Sequence, residues 1–337
     1  MENNHLKSFE VSGFKKLTDL KIDNIGQFNL IIGDNNVGKT SLLESLLVDY
    51  DTAKSMGSLT TILYHVRRFT QLNNFFLSYF FSDNYVSTPH KMLFKQIEFD
   101  DNFNAIRYNK VGESEYTSIS SRNTDILETV IGEKINYDSG FEKQEFNFSV
   151  PFIPFGSLYS HELTKLYSNN VQLFVDKKEK LLESLSHIIK GIKNIEVNAS
   201  YAFNPILLIS ESGKNKLSPL AAYGDGAVKL FRILLSLFSN SHYNRLMIDE
   251  LDAGVHYSRL TDFTKSLLKI ANEQGKQIFA TTHSKECIES FTKALEEAGL
   301  QSEGRIIRLA ETKHGIKAYT MEFAEFENSL LAESEIR

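Results

Sequence analysis

The chain has 337 residues, 42% of them apolar and 24% charged, which excludes a disordered or low-complexity protein and allows either one large domain carrying an insertion or two domains. Its 37 basic and 43 acidic side chains give a formal net charge of −6, which lacks the general footprint of a nucleic-acid binder but leaves room for a local basic groove. The polar N-terminus (MENNHLKSFE), the lack of any run near the ~20 apolar residues of a membrane span and the single cysteine, Cys287, argue against a signal peptide, a membrane segment, an internal disulfide and a multi-cysteine metal site, and point to the cytoplasm.

In chain order, residues 6–25 (LKSFEVSGFKKLTDLKIDNI) read as short strands joined by a turn at Ser12-Gly13. Phe28, Leu30, Ile31 and Ile32 form an apolar run that suits a buried strand, and Leu42, Leu43, Leu46 and Leu47 then recur at helical spacing. Between 73 and 81 (NNFFLSYFF) the aromatics fall on a helical stripe, read as core or as a subunit contact. Leu93–Asp100 and Ala105–Val111 read as a hairpin, and polar residues 112–123 as a loop. Pro151 and Pro154 make Val150–Phe155 an extended run unsuited to a helix or a central strand. Leu181, Leu185, Ile188, Ile189 and Ile192 predict an amphipathic helix ending near Gly191. Strands at 206–209, 246–248 and 277–280, an apolar helix at 228–238 and a hairpin of 305–309 with 316–321 complete the chain.

The decisive stretch is IIGDNNVGKTSLLESLL, residues 31–47. Gly33, Asp34, Asn35, Asn36, Val37, Gly38, Lys39, Thr40 and Ser41 follow the P-loop spacing, with a strand before and a helix after. Glycines let successive amide N–H groups turn into one concavity, and that concavity with the helix N-terminus attracts phosphate oxygens. Lys39 would reach the β- and γ-phosphates of ATP, and the Thr40 hydroxyl would ligate Mg²⁺.

Downstream segments narrow the class. LMIDELDAGVH ends an apolar strand in Asp249-Glu250, a Walker B pattern in which Asp249 completes the Mg²⁺ shell and Glu250 polarises an attacking water. QIFATTHS ends another strand at His283, placed to touch a γ-phosphate. Asn215-Lys216-Leu217-Ser218 lacks the aspartate of a guanine reader. Gly224, Asp225 and Gly226 open the apolar helix before Walker B, either as a second anion site that caps a neighbouring subunit's γ-phosphate or as a helix start capped by Asp225.

Taken together, FEVSGFKKLTDLKI, GDNNVGKTSLLESL, VPFIPFGSLYS, YGDGAVKLFRILLSL, LMIDELDAGVHYS and QIFATTHSKECIESF resemble the ABC-type ATPases of the AAA15 / OLD-like group, related to the heads of Rad50, RecF and SMC proteins. The resemblance implies an α/β P-loop NTPase head, a mixed sheet flanked by helices with an inserted mainly helical subdomain. By this reading the head is built from residues 1–50 and 200–325, the insertion is 51–199, and a tail helix spans 326–337. It further implies that Lys39, Thr40, Asp249 and Glu250 serve the nucleotide in cis, that His283 is the switch histidine, and that Gly224–Gly226 stand at the signature, although Leu-Ser-Gly-Gly is absent. Two such heads sandwich ATP, so a homo-oligomer is expected. Similar ATPases in anti-phage systems such as PARIS and Septu work beside a separately encoded effector, which can be a nuclease. The alternative is an ATP-dependent enzyme acting directly on DNA or RNA, for which the sequence offers no Asp-rich cluster beyond Walker B, no His-Asn-His array and no basic patch.

Overall fold

The computed structural model describes residues 5–48, 58–59, 62, 90–97, 101–111, 114–121, 124–129, 151–156, 161–198, 205–239 and 244–331; the aromatic stripe at 73–81 lies outside them. Strands β1 (Ser8–Phe14), β2 (Leu17–Ile22) and β3 (Phe28–Ile32) lead to helix α1 (Lys39–Ser45). Then come β4 (His90–Ile97), β5 (Asp101–Val111), β6 (Ser114–Ser121), β7 (Thr124–Thr129) and the two-residue β8 (Phe152–Ile153). Helices α2 (His161–Asn170) and α3 (Val175–Ser186) precede β9 (Ile192–Asn198), β10 (Ile206–Glu211) and β11 (Ser218–Pro219). The chain continues through α4 (Gly224–Phe238), β12 (Arg245–Ile248), α5 (Tyr257–Glu273), β13 (Gln277–Thr281) and α6 (Lys285–Ala298). Strands β14 (Gly304–Thr312) and β15 (Gly315–Glu322) and helix α7 (Phe323–Leu331) follow.

The central sheet has the order β15-β14-β3-β13-β12-β8. Only β15 runs antiparallel to its neighbour; β14, β3, β13, β12 and β8 are parallel. Parallel strands need cover on both faces, and the side chains divide accordingly. Phe28, Leu30, Ile32, Leu246, Ile248, Ile278 and Ala280 join the core formed with α4, α5 and α6. Ile31, Met247, Phe279 and Ile307, one step out of phase, join a second core with α1, β1 and β2. A second sheet, β2-β1-β4-β5-β6-β7, is antiparallel throughout and packs β1 and β2 on that face, and a small sheet, β11-β10-β9, contributes Ile195, Leu207 and Ile209 to the first core. The described part of 51–199 thus holds strands as well as helices, with β4–β7 extending the sheet of β1 and β2 and β8 forming an edge of the central one.

Several expectations shift. The first turn falls at Lys15-Lys16, not Ser12-Gly13, because β1 runs on to Phe14 and Lys15 takes the left-handed conformation (φ 51°). Residues 114–121 form β6 instead of a loop; Thr117 and Ile119 pair with β5 and β7, and a strand in an antiparallel sheet needs no continuous apolar run. Helix α3 ends at Ser186, and Ile192 begins β9 after a turn at Gly191 (φ 76°). Helix α4 starts at Gly224 and so contains the glycine cluster; its N-cap is Tyr223 with no side-chain capping bond, so Asp225 is a first-turn residue and not the cap. The tail helix begins at Phe323.

Buried amides fasten the end of the sheet remote from the P-loop. Gln277, 1% exposed, accepts from the Leu6 N–H (3.0 Å) and donates to the carbonyls of Leu6 (2.9 Å) and Gly26 (2.7 Å). Asn29 accepts from the Gly26 N–H (3.0 Å) and donates to Gly26 (2.8 Å) and Ile278 (3.1 Å). Gln277→Leu keeps the volume but takes the amide from the Leu6 N–H and carbonyl and leaves the Gly26 carbonyl to Asn29 alone. At about 1–3 kcal/mol for a buried group left unpaired, the expected loss is roughly 2–4 kcal/mol, read as a lower urea midpoint at unchanged m-value. An unshifted midpoint would mean that the N-terminal strand is not held by this amide.

Candidate functional site

Strand β3 ends at Ile32 and the chain enters the P-loop. Gly33 has φ 141°, and a Cβ there would stand 2.4 Å from the Leu309 carbonyl oxygen of β14, so glycine is required by close approach as well as by backbone angle. Asn36 is left-handed (φ 63°) and Gly38 also has positive φ (99°), the backbone alternation that turns amide N–H groups inward. Val37 is buried and pins the loop onto the second core, while Asp34, Asn35 and Asn36 are exposed and Ser41 is half-buried in α1. Lys39, 8% exposed, donates to the carbonyls of Gly33 (2.7 Å) and Asp34 (3.0 Å), folding its ammonium over the concavity. Burial holds its pKa below the usual lysine range, against the opposing pull of Glu250, Asp249 and Asp34. From the β1–β2 turn, Lys16 donates to the Asn36 carbonyl (3.1 Å) and so braces the tip of the loop.

Strand β12 delivers Asp249 beside α1. The Thr40 hydroxyl lies 3.1 Å and 3.3 Å from the two Asp249 carboxylate oxygens. Asp249 is also fixed by Thr281, whose hydroxyl donates to Oδ1 (2.8 Å) and accepts the Glu250 N–H (2.8 Å). A hydroxyl and a carboxylate converging from a helix start and a strand end are hard oxygen donors of the kind that would hold Mg²⁺. Glu250 is left-handed (φ 53°), an unusual state for a residue with a side chain. Its carboxylate lies 2.7 Å from His283 Nδ1, which carries the proton of that hydrogen bond. His283 is exposed, at 60% for its side chain, whereas Glu250 is at 18%. A cleft of about 200 Å³ opens here, lined by Ile32, Gly33, Asp34, Asn35, Thr282, His283 and Ile288.

Gly33–Ser41, Asp249, Glu250 and His283 therefore meet at one end of the central sheet. Gly224, Asp225 and Gly226 sit at the start of α4, with Gly224 and Asp225 exposed. Gly226 faces its own chain: a Cβ would lie 2.6 Å from Gly254 Cα in the turn after Walker B. The strand that pairs with β12 on its outer side is β8, so Pro154 and Phe155 follow it at the height of Walker B; Asp249 N donates to the Ile153 carbonyl (2.8 Å). Three site residues escaped the sequence reading: Lys16, Thr281 and Lys229. Thr281 and Lys229 stood inside QIFATTHS and YGDGAVK, but neither motif assigns them a role. A lysine within the apolar run of a largely buried helix was the one available signal for Lys229.

Next to the site, the Thr282 hydroxyl donates to Asp252 (2.7 Å), and Ser284 caps α6 by accepting from Cys287 N (3.2 Å). Cys287 is 1% exposed, and burial pushes its thiol far above the usual range. The native protein is expected to leave Cys287 unreacted with a disulfide reagent over hours and to release one thiol equivalent on denaturation. Fast native labelling would show that the α6 start opens and that this platform is not rigid.

Comparisons with known proteins place the architecture. A family model described as "AAA domain, putative AbiEii toxin, Type IV TA system" matches residues 28–289. A protein of Helicobacter pylori named ATP/GTP phosphatase is 28% identical over 354 residues, covering 91% of this chain and 92% of that one. An uncharacterized protein of Methanocaldococcus jannaschii is 31% identical over 58 residues, 17% of this chain and 26% of the other. The crystal structure of an SMC head bound to the C-winged helix domain of ScpA superposes with a TM-score of 0.61 at 11% identity, over 96% of this chain and 99% of that one. The α/β head expected from the sequence, a mixed and mostly parallel sheet flanked by helices, is thus the fold of an SMC head. The match over residues 28–289 contains the P-loop, the Walker B pair and the histidine turn alike, and the chain belongs to this family of AbiEii-toxin-like, ABC-type AAA-domain ATPases.

Proposed function

We propose that this protein is an Mg²⁺-dependent ATPase that works as a switch: its heads pair around ATP, and the paired state controls a separately encoded effector in bacterial anti-phage defence. The observation that carries the catalytic part is the pairing of Glu250 with His283 at 2.7 Å, directly beside the Thr40–Asp249 pair and the P-loop lysine. A phosphate-binding loop alone would bind; a carboxylate poised at its mouth adds a base for water. The name of the Helicobacter relative, ATP/GTP phosphatase, supports hydrolysis, and the toxin–antitoxin description of the family supports a place in defence.

In this reading the P-loop amides and Lys39 bind the β- and γ-phosphates, and Lys39 exchanges its two carbonyl partners for phosphate oxygens. Thr40 and Asp249 would hold Mg²⁺, which neutralises phosphate charge when bound. Thr281 keeps the Asp249 carboxylate in its orientation. Glu250 orients the attacking water and takes its proton, and His283 releases the carboxylate as it turns toward the γ-phosphate. Gly224 and Asp225, exposed at the start of α4, face a neighbouring subunit's nucleotide.

Glu250→Gln is expected to bind ATP with near-wild-type affinity and to lose about 10²-fold or more in kcat, since positioned general bases typically contribute 10²–10⁴-fold. Purified protein should also lose turnover of ATP, with GTP assayed in parallel, when EDTA is added. Wild-type turnover by Glu250→Gln would move the base elsewhere. A partner retained by ATP-loaded Glu250→Gln and lost by Lys39→Ala would identify the effector.

The oligomer is tested by mixing two inactive variants. Gly226 is unsuited because its substitution strikes Gly254 in the same chain; Asp225 is exposed, so Asp225→Arg is the proper choice. A Lys39→Ala subunit mixed with an Asp225→Arg subunit has one intact site per mixed dimer, and ATPase activity should partly return. Mixed dimers that stay inactive would overturn the trans arrangement.

A further inference from the structure

Helix α4 is buried along most of its length, from Ala227 through Phe238, and is largely apolar, yet it carries a lysine at its second turn. Lys229 is 1% exposed. A buried ammonium is tolerated only where strong acceptors replace its water. Here the acceptors are two successive main-chain carbonyls, those of Asp249 (2.7 Å) and Glu250 (2.5 Å). The Phe155 ring, following β8, lies 5.8 Å from the same nitrogen. Burial brings the Lys229 pKa down to about 8, against the opposing charges of Asp249, Glu250 and Asp252.

The two carbonyls belong to the residue expected to hold the metal and the one expected to act as base. Glu250 is also the residue in the left-handed conformation, φ 53°, which persists only where its surroundings fix it. Its amide is held by Thr281 and its carboxylate by His283, while its carbonyl accepts from Lys229 and from the Ala253 N–H (3.0 Å), so Lys229 supplies the charged donor to that group. A second contact reinforces the connection: Gly226, one turn earlier on α4, packs against Gly254 in the turn that follows Glu250. The first two turns of α4 thus touch the catalytic turn at both ends, and the exposed start of the same helix carries Gly224 and Asp225.

We propose that Lys229 is a positioning residue for hydrolysis, the tie through which helix α4 sets the main-chain geometry of Glu250 and passes to it any displacement imposed at Gly224-Asp225. The proposal rests on Glu250 serving as the base. Lys229 does not touch nucleotide; it acts through the peptide groups it holds. Removing it takes the charged donor from two carbonyls and leaves the Glu250 carbonyl to the Ala253 N–H alone, which loosens the left-handed turn and shifts the carboxylate from the water it orients.

The test uses the full chain with Lys229→Met, which keeps the length and apolar stem and deletes the donor. Three quantities are read: the Kd for a fluorescent ATP analogue with Mg²⁺, steady-state kcat and KM, and single-turnover rates in the Glu250→Gln background. Nucleotide binding should change by no more than about twofold, because the P-loop is untouched, which also shows that the variant is folded, while kcat falls by about tenfold or more. In Glu250→Gln the same substitution should alter the rate by less than about twofold, since two residues acting through one geometry are non-additive. Lys229→Arg, which restores a cation and donors, should recover part of kcat. If Lys229→Met does not fold, Lys229→Gln, which retains a donor for one carbonyl, takes its place, with nucleotide binding again unchanged and a smaller but measurable fall in kcat. The proposal is overturned by wild-type kcat, by a rise in KM at constant kcat, or by an equal loss in the Glu250→Gln background. A wild-type chain without ATPase activity would instead remove the hydrolytic reading, and this one with it; an active wild type with an unaffected Lys229 variant removes this one alone.

Discussion

The site depends on the parallel register of β3, β13 and β12. Thr281 pairs with Ile31, Ala280 with both Leu30 and Ile248, and Met247 with Phe152 on the outer side. Because these strands run in one direction, their C-terminal ends come level at one edge of the sheet. Three unrelated sequence segments therefore deliver the P-loop, the Asp249-Glu250 pair and the Thr281–His283 turn to one place. A sheet with any of these strands reversed would send its functional residues to the opposite edge, where Gln277 and Asn29 sit in their amide network.

Within that frame, short hydroxyl side chains do most of the alignment. Thr281 has one hydroxyl and uses it twice, donating to Asp249 and accepting from Glu250 N. Thr282 reaches Asp252 and Thr40 reaches Asp249, so the acidic turn after β12 is held from both α1 and the β13 end. Hydroxyls suit this task because they can donate and accept at once and lose little rotamer freedom. The strained Glu250 backbone sits in the middle of this arrangement. Its conformation is held by groups from β13 and α4 that are distant in sequence, and strain of this sort is common where a catalytic group must be aimed.

Two cores flank the sheet, and the site lies where they meet the loops. The core containing α4, α5 and α6 fixes the Walker B side; the one containing α1, β1 and β2 fixes the P-loop side through Val37, Leu42 and Leu43. The exposed apolar residues Leu173 and Val175 and the open start of α4 lie outside both.

Much of this was legible in the primary sequence. The P-loop glycines, Lys39, Thr40, Asp249, Glu250 and His283 were all named from spacing, because a phosphate cradle and the strand ends around it constrain residues that are close in the chain. The central strands were legible too, since fully buried parallel strands leave continuous apolar runs. What the sequence could not show was which polar side chains these elements turn toward one another. Thr281, Lys229 and Lys16 act on partners 20 to 32 positions away, through single hydrogen bonds that leave no periodic trace. The register of β6 and the true end of α3 were hidden because polar strands and helix termini are decided by pairing and by one backbone angle. Tertiary structure also separated the two glycines of the α4 start, leaving Gly224 open and seating Gly226 on Gly254, a distinction that depends on which backbone comes within van der Waals distance and that local sequence does not contain.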